Sequence, residues 1–217
     1  MQLFLDGSDI DKIRKYCGIG LIDGVTTNPS IILKSGKNMI EVISELAGIV
    51  SGSVSAEVSA LDSDTMVQEG IKLAEIAENV TVKLPITWDG LKACKTLSNK
   101  GISVNMTLCF SSSQALLAAK AGAEYVSPFI GRLDDLNLEG IDLISDIKLI
   151  YSNYKFSTKI LAASIRTINH VKQCASFGAD VATIPLDIFE KLVKHPLTDS
   201  GLSQFTADWE KTGQSII

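Results

Sequence analysis

The most reactive group this chain offers is a lysine inside an otherwise apolar run, Lys83 in VTVKLP at 80–85. Side chains alternate faces along a strand. Val82 and Leu84 therefore face one way, and Thr81, Lys83 and Pro85 the other. A lysine in mid-strand cannot easily carry its charge out to water. Desolvation disfavours the ammonium form, and a neutral amine attacks ketone and aldehyde carbonyls. The iminium so formed draws electrons from the adjacent carbon, which makes carbon–carbon cleavage beside it feasible. The plain alternative is an ion pair of Lys83 with Glu57 or Asp6 and no chemistry.

The same alternation predicts company for Lys83. In SAEVSA, Ser55, Glu57 and Ser59 share one face, while Ala56, Val58 and Ala60 share the other. In SVNMTLC, Asn105 and Thr107 oppose Val104, Met106 and Leu108. Thr26 and Asn28 pair in GVTTN, Ser127 and Phe129 in VSPFI, and Ser164 and Arg166 in LAASIR, while Asp6 closes LFLD. Burying unpaired charge is unfavourable by several kcal/mol per group. Any one of these residues could be a satisfied hydrogen bond at a strand end. Together they suggest a site that uses its charges. Asp6 and Glu57 offer carboxylates for acid and base work. Arg132 and Arg166 offer planar forks suited to a phosphate monoester, unless they only make surface salt bridges.

The elements that would position these groups form a rhythm. Eight runs rich in β-branched and apolar residues stand out: QLFLD, GVTTN, VSAEVSA, VTVKLP, SVNMTLC, YVSPFI, ILAASIR and VATIPLD. Segments of helical period separate them, such as 62–78 and 111–121. The residues near the strand ends are Asp6, Asn28, Glu57, Lys83, Thr107, Phe129, Arg166 and Asp187. They recur at steps of roughly 25 residues, the period of a barrel that closes eight βα units in about 200–250 residues. Strict alternation implies parallel strands and right-handed crossovers. A doubly wound open sheet would have fewer strands and one long crossover. The expected fold is α/β, a single (β/α)8 TIM barrel spanning 1–217 with no domain boundary. Beyond it, Leu202, Phe205 and Trp209 form the apolar stripe of an extra C-terminal helix. Gly18, Gly20 and Gly24 faintly resemble a dinucleotide fingerprint, but they precede a strand, and helix termination and a turn are expected there.

Composition narrows the function classes. The 217 residues carry a net charge of −5, which argues against a nucleic-acid partner. No long apolar run predicts a membrane span, and MQLFLD lacks a signal peptide's basic and apolar regions, so a cytoplasmic location is expected. Cys17, Cys94, Cys109 and Cys174 show no metal or redox spacing. His170 and His195 are the only histidines, too few for a histidine metal centre.

Several motifs resemble one family. VTTNPSII at 25–32, VKLPIT at 82–87, NMTLCFS at 105–111, AGAEYVSPFIGR at 121–132 and LAASIRT at 161–167 are similar to the transaldolases, and to their small subfamily that includes fructose-6-phosphate aldolases. The likeness runs nearly end to end, including the tail at 195–212. It implies Lys83 as the Schiff-base lysine and Asp6 as the acid/base at the cleaved bond. Glu57 and Thr107 would hold a catalytic water. Asn28 and Asn105 would bond the dihydroxyacetone unit, with Thr26 and Ser127 lining the same pocket. Arg132, Ser164 and Arg166 would hold phosphate. Phe129 with Glu57 is the transaldolase combination, where direct aldolases carry tyrosine and glutamine. The resemblance further implies sugar-phosphate substrates, the non-oxidative pentose phosphate pathway, no metal or organic cofactor, and a homo-oligomer, pentamer or decamer. The alternatives are an aldolase that releases dihydroxyacetone and a phosphate-binding barrel without turnover.

Overall fold

Eight short strands hydrogen-bond in sequence order, all parallel, and the eighth pairs back with the first to close a barrel. The computed structural model describes residues 1–217. The strands are β1 (Gln2–Asp6), β2 (Gly24–Thr26), β3 (Val54–Glu57), β4 (Val80–Pro85), β5 (Val104–Cys109), β6 (Tyr125–Pro128), β7 (Lys159–Ala162) and β8 (Val181–Pro185). The helices are α1 (Ile10–Gly18), α2 (Pro29–Ser35), α3 (Met39–Ile49), α4 (Ser63–Ala74), α5 (Trp88–Asn99), α6 (Ser112–Ala121), α7 (Ile130–Asp134), α8 (Gly140–Tyr154), α9 (Ile168–Phe177), α10 (Leu186–Phe189) and α11 (Pro196–Thr212). The fold is a (β/α)8 barrel with a further C-terminal helix.

Local chemistry explains where the helices begin. Asn28, Asp62, Thr87, Ser111 and Thr167 sit at N-caps and accept a backbone N–H from the first turn. All five of these helices, α2, α4, α5, α6 and α9, start within six residues of a strand's end. Their N-termini therefore face the rim where the strands finish, and that rim favours anions. Gly18 ends α1 and Gly20 turns the chain at φ +79°, a conformation that suits glycine. Gly18 and Gly20 are thus a helix stop and a turn, and Gly24 opens β2.

Two apolar clusters divide the inside. One, of 45 residues, lies between the sheet and the helices and takes Leu5, Val25, Val54, Ala56, Val82, Leu84, Val104 and Met106 from the strands. The other is four residues inside the barrel, Phe4, Tyr125, Leu161 and Val181, with the Phe4 and Tyr125 rings 6.1 Å apart. This plug fills the lower interior, so polar side chains collect above it toward the strands' C-terminal ends.

Alternation fails where strands end. β3 stops at Glu57, so Ser59 does not point inward. It is exposed, and its N–H and hydroxyl donate to Glu69. In β5 the register shifts between Met106 and Cys109, and Leu108 takes φ +59°. The extra residue moves Leu108 out of the core-facing row and brings in fully buried Cys109 instead.

No helix is long and apolar enough to cross a membrane. The four cysteines are free, and burial pushes the Cys109 and Cys174 thiols up to about 12 and Cys94 to about 11. The tail stripe contributes no buried residue to the core. Leu202, Phe205 and Trp209 are 66%, 74% and 45% exposed.

Candidate active site

Lys83 is 5% exposed and projects from the centre of β4 into the barrel. Its Nζ lies 2.9 Å from Glu57 Oε2, on the neighbouring strand at the same register. It also donates to the Thr27 carbonyl at 3.0 Å. The ammonium thus has a counter-charge and a backbone acceptor, which makes its burial tolerable. That carbonyl leaves no trace in side-chain patterning.

Asp6 ends β1. Burial, the largest influence, raises its carboxyl above the ordinary aspartate value; a hydrogen bond from Thr26 and the charge of Lys83 pull the other way, and Glu57 adds to the rise. The Thr26 hydroxyl donates to Asp6 Oδ1 at 2.7 Å and lies 2.6 Å from the Thr183 hydroxyl. Thr107 is 1% exposed, and its hydroxyl has no hydrogen-bond partner within the protein. An unsatisfied buried hydroxyl is rare and calls for a ligand or water.

A cavity of about 140 Å³ brings most of the expected residues to one wall. Asp6, Thr26, Asn28, Lys83, Thr107, Ser127, Phe129, Arg132 and Ser164 line it, with Ala163 and Thr183. Asn28 spends its carboxamide oxygen on the Ile31 N–H. Asn105 does not reach the wall: it is fully buried, accepts from Ser127 Oγ at 2.7 Å and donates to Ser55 Oγ at 3.3 Å. It therefore orients Ser127, which does line the cavity. Glu57 opens instead onto a larger neighbouring cavity of about 510 Å³, which shares Asn28. The Lys83–Glu57 pair joins the two spaces.

The arginines part company. Arg132 lines the cavity with its guanidinium 5.0 Å over the Phe129 ring. Phe129 in turn packs 5.5 Å from Phe110. Arg166 stays at the rim, where its NH1 and NH2 grip both oxygens of Asp135, the second at 2.7 Å. The guanidinium holds the Asp135 carboxyl below its usual range. The Arg166 backbone N–H donates to His170 Nδ1, and His170 Nε2 lies 3.1 Å from Asp134. Gly131 makes this packing feasible, since a Cβ there would come within 2.7 Å of Arg166 Nε and 2.4 Å of the Ser164 carbonyl.

Strand parity correctly anticipates Thr26, Glu57, Lys83, Asn105, Thr107 and Ser127 as facing the barrel interior. It is wrong for β7. Leu161 faces the interior plug, while Ile160 and Ala162 face the helices, so continued alternation would turn Ser164 outward. The strand has ended by then, and Ser164 takes φ +58°, which returns its side chain to the cavity. Asp187 is not a barrel residue either. It lies in the first turn of α10, exposed, and pairs with Lys191 at 3.1 Å. The β8 contribution is Thr183, two residues above Val181 of the plug, a spacing that would have revealed it.

The arrangement combines a buried amine, a protonatable carboxyl, an unpaired hydroxyl and a cationic rim. Comparison with known proteins agrees in kind. Residues 3–216 match the family described as transaldolase/fructose-6-phosphate aldolase. A "probable transaldolase" of Roseobacter denitrificans is 64% identical over 217 residues, covering all of both chains. Proteins of the same name from Dinoroseobacter shibae and Parvibaculum lavamentivorans are 60% and 61% identical, again over all of each chain. The chain belongs to the transaldolase/fructose-6-phosphate aldolase family.

Proposed function

We propose that this protein is a transaldolase that moves a dihydroxyacetone unit from a ketose phosphate, fructose 6-phosphate or sedoheptulose 7-phosphate, to an aldose phosphate. The observation that carries the reading is Lys83, buried on the cavity wall against Glu57 at 2.9 Å. Glu57 takes the ammonium proton, and the free amine attacks the ketone carbon. The proton held by Glu57 and a second one from the attacking nitrogen pass to the carbonyl oxygen, which leaves as water, and an iminium remains. Asp6 then accepts the proton of the hydroxyl beside the bond to be cleaved. That bond's electrons flow into the iminium, the aldose phosphate departs, and an enamine stays on Lys83. Attack of the enamine carbon on an acceptor aldehyde reverses these steps, with Asp6 returning its proton to the new hydroxyl. The upward displacement of Asp6 suits a group that must both take up and release a proton. The unpaired Thr107 hydroxyl supports a role, with Glu57, in binding the water that forms and cleaves the imine.

Thr26, Asn28 and Ser127 are assigned to the three-carbon unit, with Asn105 behind Ser127. Arg132, Ser164 and Arg166 are assigned to phosphate. For Arg166 this requires its fork to be shared with, or released from, Asp135. Arg132→Ala or Arg166→Ala is expected to raise KM for phosphorylated sugars about 10–100-fold, the loss of one charge-assisted contact. Unphosphorylated analogues should change far less, and an equal penalty on both would remove these arginines from the phosphate site.

The second reading, an aldolase releasing dihydroxyacetone, is separated from the first at Phe129. Phe129 lines the cavity between Phe110 and Arg132 and offers an apolar face. It cannot orient water at the iminium carbon, so the intermediate waits for an aldehyde. Transfer to erythrose 4-phosphate should greatly exceed dihydroxyacetone release, and Phe129→Tyr should shift the balance toward release. Comparable transfer and release in the wild type would favour the aldolase.

The non-oxidative pentose phosphate pathway is the proposed setting. Unpaired cysteines suit the reducing cytoplasm. The exposed stripe of α11 supports a pentameric or decameric ring in which that helix docks on a neighbour. Light scattering should return such an assembly at micromolar concentration; a monomer would rule it out.

A further inference from the structure

We propose that Thr183 is a positioning residue for Asp6, acting through Thr26 as the first donor of a one-way hydroxyl chain. The proposal rests on the reading of Asp6 as the acid/base group. A hydroxyl has one proton to give. The Thr26 proton goes to Asp6 Oδ1 at 2.7 Å. Its 2.6 Å contact with Thr183 therefore has only one consistent sense, with Thr183 donating and Thr26 accepting.

The barrel's register builds this chain. Asp6 pairs with Thr26 on one side of β1, and Phe4, two residues below, pairs with Thr183 on the other. The two threonines thus approach each other across β1 beneath the carboxyl, just above the apolar plug. Both are buried, and Thr183 also lines the cavity. Their β-branched side chains hold few rotamers, so the hydroxyls have little freedom to turn away.

The arrangement has a consequence for proton transfer. Oδ1 is occupied as an acceptor, so the proton Asp6 takes from the substrate lands on Oδ2. A donor behind Thr26 also polarises the Thr26 hydroxyl and strengthens its bond to the carboxylate. Losing that donor leaves Thr26 free to rotate and stabilises the carboxylate less. Asp6 then keeps its proton to higher pH.

The test is the pH dependence of kcat and kcat/KM with fructose 6-phosphate as donor and erythrose 4-phosphate as acceptor. Thr183→Val should move the acidic limb up by about 0.5–1 pH unit, the worth of one modest hydrogen bond. At the wild-type midpoint it should lower kcat about 2–5-fold, which is that shift read as a change in the deprotonated fraction, with KM near the wild-type value. Thr183→Ser keeps the donor and should restore the wild-type profile. On a Thr26→Val background, Thr183→Val should shift the limb no further. Should the valine variant fail to fold, Thr183→Cys takes its place, since a thiol is a weak donor, and the same upward shift is expected. An unmoved limb, or a serine variant as impaired as the valine one, would overturn the proposal. Near-normal turnover in Asp6→Asn would instead overturn the acid/base reading beneath it.

Discussion

Asp6→Asn is expected to lower turnover by about 10²–10⁴-fold, the usual contribution of a positioned acid/base group, while raising the Tm at neutral pH. Asparagine keeps the shape of the side chain and can still accept from Thr26. It cannot take the hydroxyl proton on which cleavage depends. Stability moves the other way because the folded protein holds the Asp6 proton more tightly than the unfolded chain does. Between the ordinary aspartate value and the raised one, stability falls as pH rises. Above the raised value, the full penalty of the buried carboxylate applies. Asparagine escapes that penalty, so the Tm gain of the variant should be largest at neutral pH and shrink toward zero in acid. For a chain of this size each kcal/mol recovered is worth about 2–4 °C. A variant less stable than wild type at every pH would show that the carboxylate is not a burden to the fold.

Lys83→Ala should have a still larger effect on rate, about 10⁴-fold or more, as expected when a covalent nucleophile is removed. Alanine also strips Glu57 of its counter-charge in a largely buried place, which destabilises the fold. Lys83→Arg separates the two effects. Arginine keeps the positive charge and is always protonated, so it cannot form an imine. It should preserve much of the stability and none of the turnover. Substantial activity in the arginine variant would mean that Lys83 serves as a charge and not as a nucleophile.

The interior of the barrel was legible in the sequence wherever a strand ran long enough for alternation to hold. VTVKLP shows this best: Val82 and Leu84 join the outer core, and Lys83 faces in. Where strands end, other physics takes over. Leu108 and Ser164 adopt positive φ values that a parity count does not anticipate: Leu108 leaves the core-facing row expected of it, and Ser164 reaches the cavity only because its backbone departs from the alternation of β7. Thr183 lies between Ala182 and Ile184, so alternation could have marked it as inward-facing, but its contact with Thr26 across β1 leaves no trace in the local pattern. The Thr27 carbonyl and the Asp135 grip on Arg166 depend on how separate loops meet, which no local pattern encodes.

The central claim is a covalent bond between Lys83 and the three-carbon unit, and borohydride trapping tests it most directly. The protein is incubated with fructose 6-phosphate, reduced, digested and weighed peptide by peptide. The account predicts a reduced three-carbon adduct on the peptide containing Lys83 in the wild type, and no adduct in Lys83→Ala. An unmodified Lys83 peptide in active protein, or an adduct on a different lysine, would contradict it.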